Sequence, residues 1–432
     1  MQVKLFHGFD KFRETVFWGE PSPDVAETVG AILKDIRSRG DMAVREYTEG
    51  FDGVWVEDFR VPQAQLQQAL DAVDVELLNV LEQAAANIRR FHERQKTDSQ
   101  LDFSPDGTIL GWKVTPVDSA GVYIPGGRAF YPSSLLMNVI PAQVAGVPRI
   151  AMVSPPGKDG RPHKLVMACA ALLGVSELYA VGGAQAVGAL TYGTESIPKV
   201  VKITGPGNAY VTEAKRQVYG LVGIDSFAGP SEIMIVCDRE DLPTEYLVRD
   251  LLSQAEHDPE AGAILVTTSA TQAEAVRKRL VELVPTLPRR EILQASFAHR
   301  SALIVVESLE ESFEVVNELA PEHLELLTQN PLEDIVQIRN AGAIFLGADT
   351  PEPVGDYFAG PNHTLPTSGC AKFASPLGVP DFVKTSSILR YSPQRLQQDG
   401  PAIIRFAEEE HLHAHAAAVR VRLDAYGKGQ RF

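Results

Sequence analysis

The run Gly121-Val-Tyr-Ile-Pro-Gly-Gly127 opens a series of short segments that are rich in β-branched residues and close on turn-forming residues. Three more follow it, namely Ile150-Ala-Met-Val-Ser154, Glu177-Leu-Tyr-Ala-Val-Gly-Gly183 and Val200-Val-Lys-Ile-Thr-Gly205. Helical patterns such as residues 164–174 lie between these segments. Strands that alternate with helices indicate βαβ units and a parallel sheet.

A second set of strand-like segments lies further along the chain, at residues 232–238, 263–268, 302–306 and 343–346. It flanks helical patterns at residues 246–257 and 272–284, so the sequence predicts two separate α/β layers. The first ~120 residues are mostly helical by the same criterion, with apolar positions at helical spacing over residues 26–40 and 75–95. A helical stretch over residues 401–422 follows an irregular segment rich in proline, glycine and serine.

Length and composition limit the classes of protein that the chain can belong to. A chain of 432 residues is too long for one ordinary core, so two or more domains are expected. The net charge of −16 argues against nucleic acid and anionic membranes as partners. No apolar run approaches ~20 residues, and the start lacks the apolar core of a signal peptide. Three separated cysteines fit a reducing compartment, and we expect a cytoplasmic protein.

The segment Leu251-Leu-Ser-Gln-Ala-Glu-His257 ends a predicted helix with polar groups. Gln254 and His257 are three residues apart and share a helix face, so together they could chelate one metal ion. A histidine that caps the helix C-terminus is the alternative interpretation. By chemistry alone Glu256 would be the better ligand, since a neutral amide is a weak donor, and the residues by themselves leave this conflict open.

The segment Ala320-Pro-Glu-His-Leu-Glu-Leu-Leu327 is typical of a helix start, with Pro321 in its first position. There the helix dipole would keep Glu322 ionised and would favour a neutral, proton-accepting His323. A carboxylate beside a neutral imidazole suits general-base work. An acidic residue in a first turn is also ordinary helix chemistry, so this segment alone does not identify a site.

Other polar clusters are weaker when each is taken alone. Asp356 and His363 lie in a loop rich in glycine and proline, where Asx residues usually bond their own backbone. The tail carries three histidines over residues 411–415 on one predicted helix. Glycine-rich turns follow the strands at Gly126-Gly-Arg128, Gly182-Gly-Ala-Gln185, Gly205-Pro-Gly-Asn208 and Gly229-Pro-Ser-Glu232. Such turns allow backbone amides to approach phosphates, although plain tight turns look the same.

Taken together, these motifs resemble those of the histidinol dehydrogenase family over nearly the whole chain. The resemblance is carried by VYIPGG, VGGAQA, GPGNAYVTEAKRQV, AGPSE, LLSQAEHD, APEHLE, GDYFAGPNHTLPTSG, SPLGVPDFVK and a tail pattern E-x-L-x-A-H-x-x-A-V. The family implies an NAD-dependent zinc enzyme that oxidises L-histidinol through the aldehyde to L-histidine. One departure is His411, which stands where relatives often have glycine.

The resemblance also assigns roles to individual residues. It implies one Zn²⁺ per subunit, held by Gln254, His257, Asp356 and His415, which favours Gln254 over Glu256. Glu322 and His323 match the acid–base pair, and the match to the NAD contacts falls on Tyr123, Gln185 and Asn208. The residues that match substrate contacts are Ser231, His363 and Glu410, together with Gln254, His257, His323, Asp356 and His415.

The family is a homodimer whose C-terminal segment reaches into the partner's site, which implies that Glu410 and His415 act across subunits. The implied fold has two Rossmann-like α/β domains with a small N-terminal helical segment and a C-terminal helical tail. The expected division is a helical arm (1–16), a zinc and catalytic domain (17–121 and 232–376), an NAD domain (122–231) and a tail (377–432). A dehydrogenase for another small alcohol, a zinc hydrolase and a two-lobed binding protein are the alternatives.

Overall fold

The computed structural model describes residues 3–14, 25–126, 131–226 and 229–428. The chain forms two compact units. Unit 1 comprises residues 1–96 and 117–382, and unit 2 comprises residues 97–116 and 383–432. The predicted glycine turn at residues 126–128 lies mostly outside the described residues, as does the boundary between the predicted arm and the following domain.

The described strands, in chain order, are β1 Leu5–His7, β2 Gln100–Phe103, β3 Ile109–Pro116, β4 Ala120–Tyr123, β5 Ile150–Ser154, β6 Glu177–Ala180, β7 Lys202–Thr204, β8 Gly223–Ile224, β9 Glu232–Cys237, β10 Gly262–Thr267, β11 Ala302–Val305, β12 His323–Leu327, β13 Ala343–Leu346 and β14 Val383–Arg390.

The described helices are α1 Phe9–Arg13, α2 Ala26–Arg39, α3 Asp41–Asp52, α4 Gln63–Asp71, α5 Val75–Glu93, α6 Pro132–Ala145, α7 Lys164–Leu172, α8 Gly183–Tyr192, α9 Ala209–Val218, α10 Thr244–Ala255, α11 Ala270–Leu283, α12 Arg290–His299, α13 Leu309–Leu319, α14 Pro331–Asp334, α15 Glu352–Val354, α16 Pro393–Glu409 and α17 His413–Gly427.

Unit 1 contains two parallel sheets, which confirms the predicted α/β class. The larger sheet has six strands in the order β1-β11-β10-β9-β12-β13, and the smaller has five in the order β6-β5-β4-β7-β8. Strands β9 and β10 consist of six buried residues each, as expected for a parallel sheet that is covered on both faces. Apolar residues from helices α10, α11 and α12 pack on one face of the larger sheet, and those from α1 and α13 pack on the other.

The prediction of a helix beginning at Pro321 is wrong. Helix α13 ends at Leu319, and its C-cap Ala320 takes a left-handed conformation with φ of 51°. The chain then enters β12, which pairs in parallel with β9 on one side and β13 on the other. Leucine and glutamate favour helices by intrinsic propensity, but here pairing and burial between two strands decide the conformation. Glu322 and His323 therefore lie at the start of a strand and not at a helix N-terminus, so no dipole of a helix beginning at Pro321 acts on them.

Unit 2 joins an antiparallel sheet, in the order β14-β3-β2, to helices α16 and α17. The prediction of a single helix over residues 401–422 is wrong. Two helices, α16 and α17, cover this stretch, and a turn separates them between Glu409 and His413. His411 lies in this turn with φ of 59°, a left-handed conformation that glycine adopts without strain. This conformation gives a physical reason for the glycine that the family resemblance implies at this position.

The N-terminal arm contains strand β1 as well as helix α1, and β1 pairs with β11 at the edge of the larger sheet. The four-part domain division stays a prediction, although the contacts within unit 2 group residues 97–116 with the tail. None of the described helices has both the length and the apolar character that a membrane span requires.

Candidate active site

The candidate catalytic residues lie at the amino-terminal edge of the six-stranded sheet. Glu232, His323 and Ala343 are the first residues of the adjacent parallel strands β9, β12 and β13. The register places His323 opposite Ile233 and Ala343. Ligands of open α/β sheets usually bind at the opposite, carboxyl edge. The position of Glu322 and His323 therefore does not follow from the common rule for this fold class.

A single residue, Glu232, orients both members of the predicted acid–base pair through its main chain. Its N–H donates to Oε2 of Glu322 over 2.8 Å. Its carbonyl oxygen lies 2.9 Å from Nδ1 of His323, so Nδ1 donates to it. This hydrogen bond leaves Nε2 of His323 facing the site, and Nε2 has no hydrogen-bond partner among the described residues.

Asp356 and His363 complete the cluster from the segment after β13. Asp356 lies in a π-helical turn, Gly355–Ala359. Its Oδ1 is 3.6 Å from Nε2 of His323 and 3.5 Å from Nδ1 of His363. On its other side, Nε2 of His363 is 3.4 Å from the hydroxyl of Ser134 on α6. The structure thus brings Glu322, His323, Asp356 and His363 together in one cluster.

Burial and charge shift the pKa values of these groups in opposite directions. Burial raises the pKa of Glu322 to about 7, although the neighbouring His323 opposes the shift. Burial alone would lower the pKa of His323, but the carboxylates of Glu322 and Asp356 raise it to about 10. Burial would likewise raise the pKa of Asp356, yet the neighbouring imidazoles of His323 and His363 hold it well below its usual range.

Donor groups suited to a divalent metal ion converge on this cluster. Ligand atoms of His323, Glu352 and Asp356 all lie within 4.8 Å of one another. The pKa of His257 is lowered by burial, and the charge of Asp356 opposes this effect, so His257 is within electrostatic range of the cluster. Gln254 is 1 % exposed and its Oε1 has no partner among the described residues. Glu256, in contrast, is exposed.

The predicted NAD contacts lie at the carboxyl edge of the five-stranded sheet. Strand order reverses between β4 and β7, which is where doubly wound sheets bind dinucleotides. Tyr123 ends β4, and its hydroxyl accepts the N–H of Gly183 at 3.0 Å. Gln185 is buried in α8, and neither of its amide atoms has a partner among the described residues. Asn208 caps α9 by accepting from two main-chain N–H groups.

A buried ion pair holds the glycine turn at this edge. Lys215 and Asp225 pair with each other, and their side chains are only 2 % and 4 % exposed. Asp225 accepts the N–H of Gly205 at 2.7 Å, and Lys215 donates to the carbonyl oxygen of the same residue at 3.1 Å. Gly205 has φ of 112°, and a Cβ there would collide with the main chain of Tyr123. Only glycine fits this position, and the ion pair satisfies both of its peptide groups.

A cavity of about 980 Å³ lies within unit 1. Its walls include His323, Asp356 and His363 from the candidate catalytic cluster, and also Asp225, which holds the glycine turn. A volume of this size accommodates a small substrate together with part of a dinucleotide. Ser231 is half-buried directly before β9.

Glu410 and His415 belong to unit 2. Glu410 is the C-cap of α16, and His415 lies in the first turn of α17. Both side chains are exposed, as are those of His411 and His413. The three histidines are thus divided between a turn and a helix start, whereas the sequence predicts them on one continuous helix.

Sequence reasoning missed several buried or half-buried polar groups in and near this cluster, namely Ser134, Glu232, Asp250, Arg300, Glu325 and Glu352. One sequence signal could have identified Glu232 and Glu325. Each is a single carboxyl within an otherwise apolar strand, and carboxyls are almost never buried without a reason. Glu352 offered no comparable signal, because it lies between two prolines in a segment without an apolar strand or helix pattern.

The fold and site define an α/β enzyme of the dehydrogenase class, with a buried acid–base pair whose His323 lines a cavity, and with a sheet edge of the type that binds dinucleotides. A family model of histidinol dehydrogenase matches residues 19–423, so the chain belongs to the histidinol dehydrogenase family.

Individual relatives agree with the family match over nearly the full length of the chain. The histidinol dehydrogenase of Geobacillus kaustophilus is 52% identical over 98% of this chain and 99% of its own. That of Halalkalibacterium halodurans is 54% identical over 92% of this chain and 93% of its own. The crystal structure of the Elizabethkingia anophelis histidinol dehydrogenase superposes with a TM-score of 0.93 at 35% identity, covering 98% of this chain and 99% of that one.

Proposed function

We propose that this chain oxidises L-histidinol through L-histidinaldehyde to L-histidine, the last steps of histidine biosynthesis, with two molecules of NAD as hydride acceptors. The observation that carries the proposal is the acid–base pair Glu322 and His323, because His323 lines a cavity that is also lined by Asp225, the residue that holds the glycine turn at Gly205. Membership of the histidinol dehydrogenase family supports histidinol as the substrate, since a relative that is 54% identical is a histidinol dehydrogenase.

The proton transfers follow from the geometry of His323. Its Nδ1 is occupied by the carbonyl oxygen of Glu232, so Nε2 is the atom that takes the hydroxyl proton as hydride leaves the carbinol carbon. Both Glu322 and Asp356 raise the pKa of this imidazole. Neutralising the charge of Asp356 would lower that pKa and would make His323 available as a base at lower pH.

Glu322 acts in the second oxidation. The aldehyde must add water before it can give up a second hydride, and a carboxylate with a pKa of about 7 is suited to removing a proton from that water. Its Oε2 is held by the N–H of Glu232, which fixes the direction of the carboxylate. Hydration followed by hydride loss converts the aldehyde to the carboxylic acid, with one water consumed and a second NAD reduced.

We also propose that Gln254, His257 and Asp356 hold a zinc ion together with His415 of the partner subunit. The buried, unpartnered amide oxygen of Gln254 and the exposed position of Glu256 support Gln254 as the ligand. When bound, zinc supplies a positive centre that accepts nitrogen atoms of the substrate and orients it. Ser231, His363 and Glu410, the last from the partner subunit, are proposed substrate contacts in a homodimer.

NAD is proposed to bind at the carboxyl edge of the five-stranded sheet, against Tyr123, Gln185 and Asn208. The two unpartnered amide atoms of Gln185 and the N-terminus of α9 offer hydrogen bonds to a polar ligand.

One assay tests the proposed oxidation of histidinol. The purified chain is incubated with histidinol and NAD, and NADH is followed by absorbance. We expect two NADH per histidinol; no NADH, or only one, would contradict the proposed reaction.

A further inference from the structure

The carboxyl group of Glu232 has no role in the reaction as described, yet it is fully buried at the first position of β9. Burying such a group has a large cost unless its surroundings compensate. Its Oε2 accepts the N–H of Ser368 at 3.2 Å, and its Oε1 lies 4.0 Å from Nη2 of Arg300. The carboxyl therefore links the start of β9 to the chain after His363 and to the end of α12.

Two hydrogen bonds join the segment 229–232 to the turn at Thr367 and Ser368. At one end, the N–H of Gly229 donates to the hydroxyl of Thr367. At the other end, Ser368 donates to Glu232. Ser368 has φ of 54°, which is unfavourable for a residue other than glycine, so a stabilising contact is needed to keep it there.

We propose that Glu232 is a positioning residue for the acid–base pair. By holding Ser368, its carboxyl fixes the peptide groups of Glu232 itself, and these are the groups that orient Glu322 and His323. Ser231, the proposed substrate contact, is held between the same two hydrogen bonds. The inference rests on the proposed function, because it assigns Glu232 to the residues that would perform it.

Several charged or titratable groups face the Glu232 carboxyl. They are Glu322 before β12, Arg300 after α12 and Cys370 in the turn. Burial, reinforced by the charge of Glu322, raises the pKa of Glu232 to about 8. At neutral pH the carboxyl is therefore mostly protonated, and glutamine is a close mimic in both shape and charge. The hydrogen bond from Ser368 can form to the amide oxygen of glutamine in the same way.

The test compares three variants. Glu232→Ala removes the acceptor for Ser368, and Glu232→Gln keeps it. The control Glu177→Ala removes another glutamate that opens a parallel strand and faces an arginine, but in the five-stranded sheet. Each variant is assayed for kcat and KM with histidinol and NAD, with circular dichroism as a check of folding. Amide hydrogen exchange of the peptide that covers Thr367 and Ser368 gives a readout that does not depend on activity.

For Glu232→Ala we expect kcat to fall by about 100-fold, because small misplacements of catalytic groups have effects of this size, while KM for NAD stays unchanged. Exchange at Ser368 should accelerate. Glu232→Gln should restore kcat below about pH 8, and the control should resemble the wild type. Faster exchange with an unchanged kcat would overturn the positioning role, and so would a failure of Glu232→Gln to restore kcat in a folded variant. A wild-type chain that does not oxidise histidinol would overturn the proposed function first, and this is measured separately.

Discussion

Nε2 of His323 and Oδ1 of Asp356 face each other across 3.6 Å, although 32 residues separate them in the chain. The contact forms because β12 begins beside β13, and the chain returns after β13 through the π-helical turn that carries Asp356. Since Nδ1 of His323 is already bound to Glu232, only Nε2 can respond to Asp356 and to a substrate. The imidazole therefore has a fixed orientation before any ligand binds.

The first prediction separates the two half-reactions. Glu322→Gln should slow the oxidation of histidinaldehyde by about 100-fold or more, and it should slow the oxidation of histidinol much less, because only the aldehyde step needs an activated water. His323→Asn should slow histidinol oxidation, since it removes the base for the hydroxyl proton. Single-turnover assays that start from each substrate measure the two rates. Equal losses in both steps for Glu322→Gln would contradict this division of roles.

Much of the fold could be predicted from the sequence. Short β-branched runs such as Ile150–Ser154 carry their own signal, because a strand buried on both faces needs continuous apolar residues. Strand β12 could not be found in this way. Its segment has a proline and good helix formers at its start, and its conformation depends on two neighbouring strands that are distant in the chain. The helix and strand propensities of the local residues carry no information about such pairing.

Only some of the site residues could be predicted from the sequence. The polar clusters around His257, His323 and His363 stand out, but no spacing rule indicates that they meet at the amino edge of one sheet. The roles of the individual residues came from family resemblance. Glu232 was missed because its main chain, and not a conspicuous side-chain motif, contacts Glu322 and His323.

The second prediction concerns stability and pH. Burial, together with the charge of Asp356, raises the pKa of Glu352 to about 8, from 4.5. The folded state thus binds this proton more tightly than the unfolded state, so the stabilising effect is complete below about pH 4.5 and is lost as the pH rises through about 8. Glu352→Gln has no such proton, so its stability does not depend on this titration. In metal-free protein, the free energy of unfolding of Glu352→Gln minus that of wild type should increase by roughly 2 to 5 kcal/mol as the pH rises from about 4.5 to about 8. Urea unfolding at several pH values measures it, and a constant difference would contradict the prediction.

The third prediction is that metal removal abolishes activity while the fold remains. The proposed ligands in unit 1 are Gln254, His257 and Asp356, which lie at the edge of a sheet whose apolar clusters are complete without a metal. Activity after chelation should fall at least 100-fold, and readdition of Zn²⁺ should restore it. Circular dichroism should change little. Full activity in protein shown to be metal-free by elemental analysis would exclude a catalytic metal.

The fourth prediction concerns the ion pair beneath the glycine turn. Lys215→Met leaves the buried charge of Asp225 without a partner, which should destabilise the fold by about 3 to 5 kcal/mol. It should also raise KM for NAD about tenfold and leave KM for histidinol nearly unchanged, because the turn at Gly205 loses one of its supports. The double variant Lys215→Met/Asp225→Asn removes both charges and should recover part of the stability.

A matched control for the ion pair is Arg277→Met, which breaks an exposed pair with Glu274 on α11. Exposed pairs contribute about 0 to 1 kcal/mol, so this variant should resemble wild type in stability and in both KM values. Denaturant unfolding and steady-state kinetics provide the comparison. An unchanged KM for NAD in a folded Lys215→Met variant would show that the ion pair does not support cofactor binding.

The fifth prediction tests whether Glu410 and His415 complete the site of a partner subunit. His415→Ala and His323→Ala should each be inactive alone. In a mixed dimer with exchanged tails, one site receives both defects and the other receives neither. Isolated mixed dimers should therefore have about half of the wild-type activity, and a random mixture of the two chains should have about a quarter. The two chains carry different affinity tags, so the mixed species can be isolated and confirmed by mass spectrometry. A mixture of His415→Ala with Glu410→Ala is the control, because both defects lie in the tail and every site keeps one of them. If isolated mixed dimers of His415→Ala with His323→Ala stay as inactive as this control, the tail acts within its own chain, and the prediction of a shared site is wrong.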